Sequence, residues 1–467
     1  MTTFFSYRIA LPALLSLVGL AALTYGAITP GKPMIAASSS PFEDHLTNYT
    51  YCQADFPDPL EYRPPSPGAK LLHVQTVIRH GDRSPLTVLP NDNSEWRCDD
   101  MYKVMQVQGG NVNGPTIGTY AVRTTIPEDK AYNGTMWTNG TCTLGQLTSK
   151  GARQHIELGS RFRSIYVDQL GFLPMRLNAT HLKDKVVYTR VTDFQRTEES
   201  AASFLTGAWP VRNGRTPDAS VLPLEKYPSE IETMYGHPNG DCPRYSAVLD
   251  GMRASETYES FLQQQQPLRT RLETILGTAN VKKFDRSWVN YMDAIRPRVC
   301  HQMPLPCSGS NCITPHDADA ISINVNREFS MLRGSLPDAA EFNRLSLGHF
   351  LGELRDRMMA ATEIGRKAPL FELFSGHDDT VYGLIGSLLA DDMRWPPYAS
   401  NLIFELWQNS VPTSNDPRDK YMVRVFYNGK PLPTRWCDMN ACPLSKYLNH
   451  IENRIVRNMT EVCHLSA

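Results

Sequence analysis

An α/β fold, with a largely parallel central sheet flanked by helices and an inserted, mainly α-helical cap domain, is predicted by three observations. Short β-rich runs at residues 71–78, 185–190 and 370–374 each stop abruptly at a polar turn. Helical patterns alternate with them at 147–170, 198–205, 341–364 and 380–389, the order expected when parallel strands are joined by helices. Between residues 214 and 337 the chain turns polar and proline-punctuated, which interrupts that alternation and reads as the cap.

At the amino end, Arg8 precedes an apolar run over residues 9–28, with no further charge until Lys32. That run is about the length that spans a bilayer, and Tyr25-Gly26-Ala27 is an imperfect cleavage site, so residues 1–30 read as a signal anchor, with a cleaved signal peptide as the alternative. Residues 31–68, rich in Pro, Ser and Ala without periodicity, read as a stalk. The folded core is expected in two parts, 69–213 and 338–467, on either side of the cap.

Each core element has a local reason. Residues 71–78 are β-rich and run into Arg79-His80-Gly81-Asp82-Arg83. From Leu147 an apolar face of Ile156, Leu158, Phe162, Ile165 and Tyr166 predicts a helix with Thr148 as N-cap. The run at 185–190 leads into Thr192-Asp193-Phe194-Gln195-Arg196-Thr197 and then an Ala-containing helix. In the cap, a glutamine-rich helix is expected over 258–276. After the long helix at 341–364, the run at 370–374 stops at Ser375-Gly376-His377-Asp378 and a helix follows directly. Residues 401–407 and 422–427 alternate as late strands, the second closed by Asn428-Gly429.

With 47 Lys+Arg against 48 Asp+Glu, the charge balance offers nothing to nucleic acid, and any anion specificity must be local. An even ten cysteines, scattered rather than grouped as ligand pairs, together with sequons at Asn48, Asn133, Asn139, Asn178 and Asn458, predict disulfides, glycosylation and a lumenal or extracellular body. Short loops closed by Cys307 with Cys312 and by Cys437 with Cys442 are expected among the disulfides.

Three segments carry chemistry. The motif at 79–83 sets an imidazole between guanidiniums at a strand end; arginines suit phosphate oxygens, Gly81 allows close approach, and surrounding cations keep His80 neutral, as attack on phosphorus requires. His377-Asp378 stands between a strand and a helix, where the helix amino terminus favours an anion; His377 would donate to phosphate and Asp378 would protonate the leaving oxygen. His316-Asp317 is also a His-Asp pair, but without a preceding strand it is expected in a loop with no role. Arg196 would close a phosphate cage, with Arg190 competing for that place and pairing to Glu199 or Asp193 as the bland alternative. No HExxH, GxxxxGK[ST] or GxSxG motif occurs, so neither a metal nor a nucleotide cofactor is expected.

Val77-Ile78-Arg79-His80-Gly81-Asp82-Arg83-Ser84-Pro85, taken with Ser375-Gly376-His377-Asp378, resembles the two signatures of the histidine acid phosphatase family, the clade-2 branch of the histidine phosphatase superfamily. The resemblance implies His80 as phosphorylated nucleophile, Asp378 as proton donor, and Arg79, Arg83, Arg196 and His377 as phosphate ligands, with no metal. Leu402-Ile403-Phe404-Glu405-Leu406-Trp407-Gln408, Cys442-Pro443-Leu444 and the amino-terminal anchor are similar to a membrane-anchored Golgi branch of the family, which implies phosphorylated sugars of glycans as substrate. A secreted broad-specificity acid phosphatase or phytase, and a catalytically silent glycan-binding ectodomain, are the alternatives. Asp379 departs from the small or hydroxyl-bearing residue usual after this motif, and is expected to cap the following helix, the alternative being that it points inward and like-charge coupling raises a carboxyl pKa.

Overall fold

The structure, a computed structural model, describes residues 50–464 other than 91, 93, 102, 109–115, 123–136, 138, 211–221, 239, 286, 364, 366–367 and 411–413. The expected anchor at 9–28 and the sequons at Asn48 and Asn133 lie outside the described residues. Among the described residues no helix is long and apolar enough to cross a membrane.

The central sheet uses β1 (Lys70–Arg79), β2 (Val187–Val191), β3 (Glu225–Lys226), β4 (Phe371–Gly376), β5 (Asn401–Gln408), β6 (Tyr421–Tyr427), β7 (Lys430–Pro431) and β8 (Cys442–Pro443). Its order is β7-β6-β5-β1-β4-β2-β3, with β8 beside β6. From β1 through β4 and β2 to β3 the pairing is parallel, whereas β5, β6 and β7 pair antiparallel, so the expected parallel sheet holds on the side that carries the signature motifs. β1 and β4 lie between neighbours with both faces covered, so their residues are buried almost without interruption, the polar His73, Gln75 and Glu372 included. Asn428 and Gly429 both have positive φ, 49° and 79°, and form the tight turn from β6 to β7.

Helices cover both faces. α1 (Ser149–Arg163) and α2 (Gln195–Ala208) lie on one, where Leu158, Phe162 and Phe204 meet Val74, Ile78 and Leu373. The cap segment forms α3 (Pro243–Arg253), α4 (Glu256–Gln264), α5 (Gln266–Leu276), α6 (Val289–Cys300) and α7 (Pro315–Ser330). On the other face lie α8 (Ala339–Ala360) and α9 (Asp378–Ser387), whose Leu347, Phe350, Val381 and Leu384 pack on Val77, Phe374 and Phe404.

Thr148 caps α1 as expected, accepting the N–H of Gly151, but Ile156 is 40% exposed and does not belong to its buried face. The helix expected over 258–276 is two, because Gln265 leaves helical geometry and Pro267 begins the second within its first turn. His316-Asp317 opens α7 rather than lying in a loop: Asp317 completes a capping box with Thr314 and pairs with Arg271 at 3.1 Å. Residues 50–68, expected as part of a stalk, pack onto the body instead. Tyr51 and Tyr62 are buried, Tyr62 Oη donates to Glu405 at 2.7 Å, and Cys52 is bonded to Cys300 of α6. The Cys307–Cys312 and Cys437–Cys442 bridges form as expected, with Cys98–Cys142 and Cys242–Cys463 in addition.

Candidate active site

The register of three neighbouring parallel strands assembles the site. Arg79 pairs with Gly376 and Ser375 with Val191, so His80, His377 and the turn that leads to Arg196 all leave the sheet at the carboxyl edge of β1, β4 and β2. His80 and His377 come to a ring separation of 5.7 Å, and Arg196 Nη2 lies 3.4 Å from His377 Nδ1. A cavity of about 600 Å³ opens on this edge, lined by His80, Arg83, Arg196, His377, Asp378 and Asp379 together with Leu86, Phe194 and residues from 229–240.

His80 is 1% exposed, and its Nδ1 lies 2.8 Å from the Gly81 carbonyl. Only a protonated Nδ1 can make that bond, which leaves the Nε2 lone pair free. Burial, and then the guanidiniums of Arg196, Arg79 and Arg83, hold the imidazole well below its ordinary pKa, and the same influences act on His377. Gly81 has a packing role. A Cβ there would stand 2.4 Å from the Gly151 carbonyl oxygen, and one on Gly151 would stand 2.2 Å from that of Asp82, so the two glycines let the motif loop lie against the start of α1.

The arginines are placed differently from one another. Arg83 lines the cavity and is anchored through Nη1 to Asp293 Oδ1 at 2.7 Å. Arg196 also lines it, lies over the Phe194 ring at 4.4 Å, and is lowered by burial and by Arg83 to a pKa of about 10. Arg79 does not line the cavity. Its Nη2 meets Asp378 Oδ2 at 2.8 Å and Tyr51 Oη at 3.0 Å, its Nη1 donates to the Pro396 carbonyl, and Tyr398 stacks 4.6 Å away. Arg190 is elsewhere: fully buried, it pairs with Glu353 at 2.8 Å and Glu232 at 3.3 Å, which removes it as a competitor for the anion site. Asp193 pairs with Lys226 rather than with Arg196. The Nε atoms of Arg79, Arg83 and Arg196 are buried without a hydrogen-bond partner.

His377 is the N-cap residue of α9, and Thr380 Oγ1 accepts its backbone N–H at 3.0 Å. Asp379 therefore does not cap the helix; it faces the cavity, with its Oδ1 buried and unpartnered. Burial and neighbouring Asp378 raise its pKa, against the opposing pull of His237, Arg333 and the Gly236 N–H. A carboxyl raised in the folded state holds its proton more tightly there than in the unfolded chain. Its contribution to stability is full below the ordinary aspartate pKa of about 3.9 and is lost as pH climbs through the raised value. Asp379→Asn is accordingly expected to gain thermal stability relative to the parent as pH rises from about 4 to about 7. Melting curves across that window check this, and a constant difference in Tm would refute it.

Several contributors carried no local signal. Tyr51 and Tyr398 pack on each other beside Arg79, Asp293 reaches Arg83 from the cap segment, and His301 joins Thr148 in bonding buried Asp82 Oδ1, at 2.5 and 2.6 Å. Tyr235 and His237 lie within an irregular polar stretch where only the tertiary fold reveals them as cavity wall.

The comparisons with known proteins agree with this geometry. The family model of the histidine phosphatase superfamily, branch 2, matches residues 70–428. Counting factor 60 of Dictyostelium discoideum is 28% identical over 88% of this chain and 92% of its own, and testicular acid phosphatase of Homo sapiens is 28% identical over 82% and 79%. The 2-phosphoxylose phosphatase 1 of Homo sapiens is 25% identical over 85% and 81%. Among solved structures, Hafnia alvei phytase in complex with tartrate shares the fold with a TM-score of 0.56, at 15% identity, over 86% of this chain and all of that one. With both strand-end motifs converging on one cationic cavity and the family match spanning the sheet that carries them, the chain belongs to branch 2 of the histidine phosphatase superfamily and is a phosphoric monoester hydrolase of acid phosphatase type.

Proposed function

We propose that this enzyme works through a covalent phosphohistidine, with His80 as nucleophile and Asp378 as general acid and then base. The observation that carries the reading is the His80 ring itself: neutral, fixed by its Nδ1–H on the Gly81 carbonyl, and set beside Arg83, Arg196 and His377 in one cavity. In the first step Nε2 attacks phosphorus, the P–O bond to the alcohol breaks, and Asp378 delivers its proton to the departing oxygen. In the second, Asp378 takes a proton from water as the water oxygen attacks the phosphohistidine, which releases phosphate and returns His80 to its neutral form. Arg83, Arg196 and His377 hold the phosphoryl oxygens throughout.

Asp378 holds Arg79 Nη2 at 2.8 Å, so Arg79 becomes the remaining phosphate ligand only when that carboxyl turns to the leaving oxygen. His80, held low by burial and the neighbouring guanidiniums, stays a free base. Quenching turnover in base, where phosphohistidine survives, and mapping the phosphate by mass spectrometry tests the scheme; label on any side chain but His80 overturns it.

Phosphorylated sugars of glycans are the substrate that the 25% likeness to 2-phosphoxylose phosphatase 1 favours, with the cap at 214–337 supplying the leaving-group wall. Five disulfides support work in an oxidising lumen, with residues 9–28 as a membrane anchor in the Golgi or another secretory compartment and with glycans on the sequons. The intact mass of the deglycosylated mature protein should include residues 9–28, and their loss would favour secretion instead.

A further inference from the structure

The side chains lining the cavity divide into two halves by chemistry. One half is His80, Arg83, Arg196 and His377. The other carries Glu230 and Asp379 beside a ladder of rings: His237 stacks on Tyr235 at 5.7 Å with 4° between planes, and Tyr235 lies over His377 at 6.0 Å and 19°. Phe194 closes the ladder edge-on, 5.0 Å from His377 and 6.3 Å from Tyr235. Among the described lining residues the only guanidinium or ammonium groups are Arg83 and Arg196, both committed to the phosphate half.

That asymmetry restricts the leaving group. A second phosphate on the substrate would add a charge of about −1.5 to −2 and bring it beside the exposed carboxylate of Glu230, with no lysine or arginine other than Arg83 and Arg196 among the described lining residues. Stacked rings instead offer a flat apolar surface. We infer that the enzyme selects esters with a single phosphate on an uncharged leaving group, and that Glu230 is the specificity-determining residue that turns away multiply phosphorylated ones. This inference rests on the phosphatase reading above and narrows its substrate class.

The test compares kcat/KM of the full chain on a sugar monophosphate, the bisphosphate of the same sugar, inositol hexakisphosphate and p-nitrophenyl phosphate. The monophosphate is expected to be preferred over the bisphosphate by about tenfold or more, the least that juxtaposing like charges on a partly screened rim should yield. Glu230 is exposed, so Glu230→Gln and Glu230→Lys should fold. They should lower the mono-to-bisphosphate ratio in that order, with Glu230→Lys shifting it by about tenfold. Equal rates on the two sugar esters, faster turnover of the hexakisphosphate, or an unchanged ratio in Glu230→Lys would overturn the inference while leaving the phosphatase reading intact. Failure to hydrolyse p-nitrophenyl phosphate would overturn both.

Discussion

His80→Ala is expected to lower kcat on p-nitrophenyl phosphate by about four orders of magnitude, because it removes the atom that forms the covalent intermediate in the proposed scheme. Alanine has no lone pair to present, and the residual rate will be that of water attacking a phosphate still polarised by Arg83 and Arg196. The variant should fold: the imidazole it loses touches His377 and Tyr398 at ring separations of 5.7 and 5.9 Å, and the motif backbone is held by Gln154 and Ser200, which do not change. Circular dichroism together with retained inorganic phosphate binding separates lost chemistry from lost structure. Activity within tenfold of the parent, in folded protein, would assign the nucleophile elsewhere.

Asp378→Asn should split substrates by their leaving groups. Alkyl phosphates, whose alkoxide is a poor leaving group, are expected to lose roughly 100 to 10,000-fold in kcat, and p-nitrophenyl phosphate far less, because its phenolate departs without a proton. The substitution also removes the carboxylate that engages Arg79 Nη2 at 2.8 Å, so inorganic phosphate should inhibit the variant more tightly than the parent. Equal losses on both ester types, or weaker phosphate inhibition, would make Asp378 a binding group rather than the acid.

Much of the site was legible because its key residues occupy short motifs at the ends of strands. His80, Arg83, His377 and Asp378 sit at places where an apolar run stops, and the same residues meet around the cavity. The choice between Arg190 and Arg196 was not legible: both flank one turn, and only the buried Glu232 and Glu353, more than forty and more than a hundred and sixty residues further on, claim Arg190. Asp379 misled for a related reason. A carboxylate at a helix start is a good cap in isolation, but His377 already occupies the N-cap, and the Gly236 backbone covers the next turn.

By itself the amino-acid sequence determined five strands of the central sheet, the core helices to within a few residues, the two short disulfide loops and the phosphate-seeking motifs, since these depend on contacts within a few residues: side-chain period, capping, and turns. Only the tertiary structure decided that Arg79 rests on Asp378 beside two tyrosines, that Asp293 steadies Arg83, and that Tyr235, His237 and Glu230 line the cavity. Those relations join residues separated by tens to hundreds of positions. Strand register and the packing of the cap segment set them, and no local pattern of hydrophobicity or charge encodes which distant side chain will meet which.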